Sequence, residues 1–343
     1  MSELRTYIIS GAFELESGES IQDAHIAYEI FGSPNDDNSN VVFVGHALTG
    51  NTKVTEWWGG LIGEGKLIDT NKYCVIAANS IGSCYGSTGP DSVTPFPVIT
   101  VRDIARANNL LLKHLGFDQI LLGIGGSMGG MIVLDMALEQ PDLFANVIPI
   151  AVTASHSPWR IAYSSIIRKT IEAFAHEGQE GLVKGMRLAR QIGMVSYRSS
   201  IEFESRFGRE RLSDDPETYF AKDNLFEVES YLEHQGDKIV ARFDPQSYLT
   251  LTRAMELYDL TRGRSASALQ DLQARVFVVA INTDILYPVQ QCREFAEQFA
   301  NAESGVLESN FGHDAFLVDD AKLAQLLTPF VESARCLEKE IAA

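Results

Sequence analysis

The chain has 343 residues, of which 45% are hydrophobic and 22% charged, enough for a large core in one or two domains. Its 28 basic and 46 acidic residues give a net charge of −18, which argues against nucleic acid as a partner, because nucleic-acid binding needs a basic surface. No apolar run approaches the roughly 18 residues that span a bilayer, and the first residues lack the pattern of a secretory signal. We therefore expect a cytoplasmic protein that contacts neither membrane nor nucleic acid.

The cysteines give no sign of a metal site or of a disulfide framework. They lie far apart in the chain and form no pair with the spacing of metal ligands. We expect them to be free thiols of a cytoplasmic protein. The four are Cys74, Cys84, Cys292 and Cys336.

Short apolar runs rich in β-forming residues alternate with helical patterns along the chain. The N-terminal segments, residues 6–18 and 23–32, alternate apolar and polar residues and predict an antiparallel hairpin at the edge of a sheet. Continuous apolar runs further on predict buried strands, and residues 305–309 predict a weaker sixth. The five runs are Val41–Val44, Cys74–Ala78, Ile120–Ile124, Val147–Val152 and Val276–Ile281. Such strands between helices indicate an α/β fold with a mostly parallel sheet that is covered on both faces.

The alternation stops between about Trp159 and Arg264. This region places Arg, Glu, Leu and Ala at helical spacing and contains no convincing parallel strand. We interpret it as a helical insertion between two core strands. The predicted organisation is a core of residues 1–158 and 265–343, with a lid of residues 159–264.

The sequence from Gly125 to Gly129 reads Gly-Gly-Ser-Met-Gly, after a predicted strand and before a predicted helix. This is the G-x-S-x-G setting of a nucleophile elbow, in which a strained turn exposes a serine, here Ser127. A plain glycine-rich turn and a phosphate loop are the alternatives. The phosphate loop is disfavoured because no G-K-[ST] follows, and a dinucleotide site because no acidic partner strand is clear.

A serine nucleophile needs a base, and in this arrangement an acid and then a histidine follow in chain order. Asp284 comes just after the strand at 276–281, and His313 lies in a loop before a helical run. Alone, Asp284 would read as a turn or cap residue and His313 as a helix-entry residue. Their order and contexts together predict the triad Ser127, Asp284 and His313.

The oxyanion of an acyl-transfer reaction must be held by backbone N–H groups. We expect one from Met128, the residue after the nucleophile, and one from Leu48, in the loop after the strand at 41–44. His46 in the same loop is interpreted as a structural residue, because His313 already serves as the base.

Several motifs go beyond these general signals: "GHALTGNT", "CYGSTGP", "GIGGSMGGM" and "FGHDAF". With them, residues from about 10 to about 330 resemble the homoserine O-acetyltransferase group of the α/β-hydrolase fold. The resemblance implies an α/β-hydrolase core with a helical lid and the same Ser–Asp–His triad. It implies acyl transfer from acetyl-CoA, as a cosubstrate, to the hydroxyl of L-homoserine in methionine biosynthesis, without a metal or redox cofactor.

The resemblance also implies two substrate contacts. Arg168 in the lid would bind the substrate carboxylate, and Asp314 would bind the substrate ammonium, since a zwitterion needs one partner of each sign. A solvated helix residue is the alternative for Arg168, and a helix cap is the alternative for Asp314. Basic lid residues such as Arg187 and Arg190 could steer the phosphates of CoA. In the family, lid helices also pair subunits, so a homodimer is expected.

Two departures from the family pattern leave the acyl group and the acceptor open. The helix after Ser127 reads "GGMIVLDMA" where the family usually has "GGMQALEWA", with Ile132 and Met136 at altered positions, and the lid lacks an aspartate–proline–tryptophan stretch. Serine as acceptor, succinyl-CoA as donor and ester hydrolysis are therefore alternatives. A binding protein on a disabled hydrolase fold is a further alternative that the complete triad disfavours.

Overall fold

The apolar runs of the sequence form the centre of an eight-stranded sheet in the computed structural model, which describes residues 2–341 and their side chains as far as residue 334. The strands are β1 (Arg5–Ile8), β2 (Ala12–Glu14), β3 (Ser20–Gln22), β4 (His25–Phe31), β5 (Val41–Gly45), β6 (Ile62–Gly63), β7 (Ile68–Asp69), β8 (Cys74–Ala78), β9 (Ile120–Gly126), β10 (Phe144–Ile150), β11 (Arg275–Ile281) and β12 (Ala302–Leu307). The helices are α1 (Val54–Trp57), α2 (Val101–His114), α3 (Met128–Glu139), α4 (Pro158–Glu172), α5 (Gly178–Tyr197), α6 (Ser200–Phe207), α7 (Glu227–Val240), α8 (Pro245–Glu256), α9 (Val289–Ala296), α10 (Ala315–Val318) and α11 (Asp320–Ile341), and short 3₁₀ turns lie at Ala175–Glu177 and Gly312–Asp314.

The order of strands in the main sheet is β1-β4-β8-β5-β9-β10-β11-β12. The strands from β8 to β12 in this order are parallel to their neighbours, and β4 and β1 are antiparallel at one edge. Every residue of β5, β8 and β9 is buried, as continuous apolar strands covered on both faces require. The predicted mostly parallel sheet is confirmed.

The N-terminal edge differs from the predicted single hairpin. Strand β1 pairs with β4, with Arg5 opposite Tyr28, while the residues between them fold into a separate two-stranded sheet of β2 and β3. Gly11, between β1 and β2, and Gly18, between β2 and β3, adopt positive φ angles of 83° and 84°, which glycine permits in sharp turns. The edge is antiparallel as expected, but it uses only part of each segment.

The loops that follow the parallel strands open at the same edge of the sheet. In parallel neighbours the carboxyl ends of the strands lie together, and in open α/β sheets this is the edge at which ligands bind. Strands β5, β9, β11 and β12 end at Gly45, Gly126, Ile281 and Leu307. The predicted site residues follow each of these ends by one to six positions.

Helices α4 to α8 lie between β10 and β11, in the stretch predicted to be an insertion. The chain enters and leaves this stretch side by side, because Ser155 and Asp259 form an antiparallel bridge and the Leu260 N–H donates to the Ala154 carbonyl at 2.7 Å. Arg264, at the exit, pairs with buried Asp135 of α3 at 2.7 Å. The division into a core and a lid with boundaries at 159 and 264 stays a prediction.

None of the helices in the described part of the chain combines the length and the apolar composition needed to cross a bilayer.

Candidate active site

Ser127 occupies the turn between β9 and α3 in a conformation that few non-glycine residues adopt. Its φ is 54° and its ψ is −123°, a strained combination that costs on the order of 1–3 kcal/mol and persists only where neighbours enforce it. The Ser127 N–H donates to the Ile150 carbonyl at 2.8 Å, and the Ser127 carbonyl accepts from the Met131 N–H at 3.1 Å. The turn is thereby fixed to β10 on one side and to α3 on the other.

The glycines beside Ser127 are required by close backbone contacts. A Cβ on Gly125 would lie 2.3 Å from the carbonyl carbon of Gly129, and a Cβ on Gly129 would lie 2.1 Å from the carbonyl oxygen of Gly45. Side chains at these positions would push α3 away from β5 and β9. The G-x-S-x-G pattern therefore reports how closely strand and helix approach.

Asp284 and His313 form a buried hydrogen-bonded pair. His313 Nδ1 lies 2.6 Å from Asp284 Oδ2, and Asp284 Oδ1 accepts from the N–H groups of Leu286 at 2.7 Å and Tyr287 at 3.1 Å. The carboxylate is thus oriented by its own loop. Because Nδ1 is engaged, Nε2 is the ring nitrogen available to take a proton from a substrate or nucleophile.

Thr283 connects the loops that carry the acid and the histidine. Its hydroxyl donates to the Ser309 carbonyl at 2.8 Å and accepts from the Gly312 N–H at 3.0 Å. Gly312 has a φ of 66°, and an added Cβ would lie 2.8 Å from the backbone of Tyr197, Arg198 and Ser199. The histidine loop is therefore held against both the β11 loop and the helical insertion.

Ser127 and His313 line one cavity of about 130 Å³. Asp284 lies behind His313 and does not line it. Within the described residues no hydrogen bond joins the Ser127 hydroxyl to His313. The cavity lining combines three arginines and one carboxylate with apolar groups: Ala47, Leu48, Thr49, Ser127, Arg160, Arg190, Tyr197, Arg242, Met255, His313, Asp314, Phe316 and Leu317.

The predicted oxyanion donors come from the start of α3 and from the loop after β5. Met128 is the first residue of α3, so its N–H has no acceptor one turn earlier in the helix. Leu48 lines the cavity, and no acceptor for its N–H is found in the described part of the chain. The structure thus leaves both backbone donors available beside the serine.

His46 holds the Leu48 loop in place. Its side chain is 2% exposed; Nδ1 lies 2.8 Å from the Ala47 carbonyl, and Nε2 accepts from the Ser80 N–H at 3.0 Å. Burial lowers the pKa of His46 to about 4, so the imidazole is neutral at neutral pH. These contacts agree with the structural role predicted for this histidine.

The structure does not bring Arg168 to the cavity. Its guanidinium pairs with Glu256 at 3.2 Å and with Glu172 at 2.9 Å, and the residue is absent from the cavity lining. The partner expected for a substrate carboxylate is therefore already neutralised elsewhere. The physical reason is the direction of α4, which turns Arg168 toward α8 and places Arg160, two turns earlier, at the cavity.

Asp314 does line the cavity, and it makes an ion pair with Arg198 at 3.2 Å. Its side chain makes no capping hydrogen bond to the helix that follows, so the alternative role as a cap is not seen. Of the two arginines suggested for CoA phosphates, Arg190 lines the cavity, whereas Arg187 pairs with Asp237 at 2.7 Å.

The departures in α3 lie in the core and not at the cavity. Ile132 and Met136 are 1% and 0% exposed, and neither lines the space beside Ser127. These two side chains pack in the hydrophobic core and are not positioned to contact a substrate in this cavity.

Sequence reasoning missed a buried group behind His313. Tyr287 stacks on the His313 ring at a centroid distance of 5.3 Å, and its hydroxyl contacts His156 Nε2 at 3.0 Å and Arg160 Nε at 3.3 Å. Burial raises the pKa of Tyr287 to about 12 and lowers the pKa of His156 well below its usual value, so both are neutral at neutral pH. No local pattern marks these residues, since His156 and Tyr287 meet only because β10 and β11, which precede them, are neighbours in the folded sheet.

Comparisons with known proteins agree with this geometry. A family model described as alpha/beta hydrolase fold matches residues 40–320. A curated homoserine O-acetyltransferase from Chlorobaculum parvum is 42% identical, over 93% of this chain and 92% of that protein. The crystal structure of homoserine O-acetyltransferase from Staphylococcus aureus has a TM-score of 0.81 at 31% identity, over 96% of this chain and 95% of that one. An acetylester hydrolase from Corynebacterium glutamicum shares the fold, with a TM-score of 0.81 at 24% identity over 96% of each chain. The chain therefore belongs to the homoserine O-acetyltransferase family of the α/β-hydrolase fold.

Proposed function

We propose that the protein transfers an acetyl group from acetyl-CoA to the hydroxyl of L-homoserine by a double-displacement reaction on Ser127, a step of methionine biosynthesis. The observation that carries the proposal is that Ser127, in its strained turn, shares a cavity with His313, which Asp284 holds from behind, in a chain of this family. That arrangement supplies a nucleophile, a base and an orienting carboxylate. In this mechanism Ser127 is the only group of the protein that is acylated, and His313 is the only one that transfers protons.

In the first half of the reaction, His313 Nε2 takes the Ser127 hydroxyl proton as the serine oxygen attacks the thioester carbonyl. The backbone N–H groups of Leu48 and Met128 donate to the tetrahedral oxyanion. The carbon–sulfur bond then breaks, His313 returns the proton to sulfur, and CoA leaves as its thiol. The acetyl group stays on Ser127 as an ester.

In the second half, the homoserine hydroxyl attacks the acetyl ester. His313 takes the hydroxyl proton, the same N–H groups hold the second oxyanion, and the bond to the Ser127 oxygen breaks. His313 gives its proton back to that oxygen, and O-acetylhomoserine leaves. Asp284 keeps the imidazole oriented and stabilises its charged form in both halves.

The charges of the cavity suit a zwitterionic acceptor. The Asp314 carboxylate would bind the ammonium group of the acceptor while it keeps its ion pair with Arg198. Three positively charged side chains line the same cavity: Arg160, Arg190 and Arg242. Arg242 is the exposed one of these, held by the Thr49 carbonyl at 2.7 Å, which suits a contact with the phosphates of CoA at the cavity mouth.

Ester hydrolysis is the second candidate, because the acetylester hydrolase named above has the same fold and water could replace homoserine at the acetyl-enzyme. The test is thiol release from acetyl-CoA with and without homoserine. A transferase releases thiol much faster when homoserine is present and forms O-acetylhomoserine in equal amount. Equal rates with and without homoserine would overturn the transferase proposal.

We also propose a cytoplasmic homodimer that pairs through the helices of the insertion. Large apolar side chains are exposed on α4, α5 and α6: Trp159, Ile161, Ile166, Leu188, Val195 and Ile201. Exposed apolar patches of this kind commonly mark interfaces. The three cysteines whose side chains are described, Cys74, Cys84 and Cys292, are free thiols, which suits a reducing compartment, while Cys336 lies outside the described side chains. Light scattering of the wild type and of a Val195→Asp variant tests the dimer, which the charged variant should dissociate.

A further inference from the structure

Arg160 carries a buried positive charge that forms no direct ion pair in the described part of the chain, and the Asp284 carboxylate stabilises this charge only without contact. The residue is 3% exposed, and it forms no ion pair. Two other arginines of the insertion are paired, Arg168 with Glu256 and Arg198 with Asp314. Arg190 and Arg242 line the cavity without an ion pair, but neither of them is buried as Arg160 is. A buried charge is costly unless a partner of opposite sign stabilises it. The partner of Arg160 is therefore expected to come from outside the chain.

One edge of the guanidinium is fixed by a chain of hydrogen bonds. Arg160 Nε donates to the Tyr287 hydroxyl oxygen at 3.3 Å, and that hydroxyl lies 3.0 Å from His156 Nε2. Because arginine can only donate, the single hydroxyl proton of Tyr287 is left for His156 Nε2 to accept. The Arg160 Cζ atom also lies 5.7 Å from the centre of the Tyr287 ring. The orientation of the guanidinium is thus set before any ligand binds.

The other edge of the guanidinium has no protein acceptor. Arg160 Nη1 is buried without a hydrogen-bond partner, and no hydrogen bond or ion pair of the described residues involves Nη2. The residue lines the cavity together with Ser127 and His313. A fixed guanidinium with free donors matches the planar geometry of a carboxylate.

We infer that Arg160 is a carboxylate-binding subsite of the Ser127 cavity, oriented by Tyr287 and His156. The inference rests on the proposed function, which brings two substrates into this cavity. The carboxylate comes either from the amino-acid acceptor or from an acyl group that ends in a carboxylate. Both sources share the chemistry that Arg160 recognises.

The experiment separates the two sources with paired substrates. Thiol release is measured for the wild type, Arg160→Gln and Arg160→Lys with acetyl-CoA or succinyl-CoA, and with homoserine or 3-aminopropan-1-ol, which is homoserine without its carboxylate. If 3-aminopropan-1-ol reacts too slowly for a rate to be measured, its inhibition constant against homoserine is measured instead. Arg253→Gln, which changes an exposed arginine of α8, is the matched control, and thermal unfolding verifies that each variant is folded.

Loss of a buried charge-assisted contact should lower kcat/KM on the order of 100-fold for the substrate that carries the carboxylate. A loss for homoserine but not for the amino alcohol identifies the acceptor as the source. A loss for succinyl-CoA but not for acetyl-CoA identifies the donor. Arg160→Lys, which keeps the charge, should recover part of the loss and carries the test if Arg160→Gln does not fold.

An Arg160→Gln variant that changes all substrate pairs equally, or none of them, overturns the inference and leaves Arg160 with a structural role. Failure of the proposed function looks different. In that case the wild type releases thiol without any dependence on homoserine, while the comparison of succinyl-CoA with acetyl-CoA still tests Arg160.

Discussion

The sheet edge and the helical insertion both place chemical groups in one cavity, but they hold them by different means. The Leu48 and Met128 N–H groups belong to the backbone and the Ser127 hydroxyl oxygen lies only two bonds from it, and contacts between β5, β9 and α3 fix the Ser127 turn. The insertion contributes long side chains, such as Arg160 and Arg190, whose positions depend on individual hydrogen bonds. Changes at the edge should therefore abolish the reaction or the fold, and changes in the insertion should alter which substrates react.

The largest expected effect tests the edge directly. Ser127→Ala removes the nucleophile and should lower kcat by roughly 10⁴-fold or more. Intact-protein mass spectrometry after incubation with acetyl-CoA should show an acetyl adduct on the wild type and none on the variant. An adduct of equal occupancy on the variant would move the nucleophile to another residue.

The glycine contacts test how rigidly the edge is built. Gly129→Ala places a methyl group 2.1 Å from the Gly45 carbonyl oxygen, backbone against backbone, and should lower the free energy of unfolding by about 3 kcal/mol. Gly263→Ala in the insertion is the comparison, since its Cβ meets nothing within 4 Å and only its φ of 72° is strained, at about 1 kcal/mol. Urea unfolding measures both. Equal losses would show that the close approach of α3 to β5 relaxes at little cost.

Acidification tests the histidine that holds the Leu48 loop. The pKa of His46 is about 4 in the folded protein and near 6.5 when unfolded, so the unfolded chain gains a proton first as the pH falls. Its stabilising effect is complete above pH 6.5 and is lost as the pH falls toward 4, by about 2 kcal/mol at pH 5. Unfolding measured from pH 7 to 5 should therefore be less pH-dependent in His46→Asn than in the wild type. His176→Gln, an exposed position of the insertion, should keep the wild-type slope.

The smallest expected effect concerns Arg168. It distinguishes the substrate-binding role that the family resemblance implies from the structural role that the pairing with Glu256 indicates. The structure pairs Arg168 with Glu256, whose side chain is 4% exposed. Arg168→Gln should thus cost about 1 kcal/mol of stability and change KM for homoserine by less than about 3-fold. An increase in KM of about tenfold or more, with stability unchanged, would restore Arg168 as the carboxylate partner.

The groups at the sheet edge could be predicted because their signals are local. Strands β5, β8 and β9 are continuous apolar runs, and the Ser127 turn is encoded within five residues by the small side chains that its contacts require. Asp284 and His313 could be predicted because parallel strands bring the loops that follow them to one edge of the sheet. Chain order then restricts the candidates for the acid and the base.

The groups from the insertion could not be predicted in the same way. Arg160 and Arg168 lie on one helix, and which of them reaches the cavity depends on the direction in which α4 crosses the sheet. Tyr287, which orients Arg160, lies outside the insertion and also contacts His156, 131 positions earlier in the chain. At the N-terminal edge the alternation predicted extended antiparallel segments, but it did not show that residues 6–18 divide between two sheets or that β3 pairs with β2.

The bridge between Ser155 and Asp259 gives the insertion a closed stem. The chain returns to the strand order beside the point at which it left, so more than 100 residues add almost no distance between β10 and β11. A segment joined through such a stem can be lengthened, shortened or exchanged without moving the sheet, because the span to be bridged stays the same. For this protein the stem is a natural junction for chimaeras, in which the same catalytic core would carry insertions taken from different relatives and would accept different substrates.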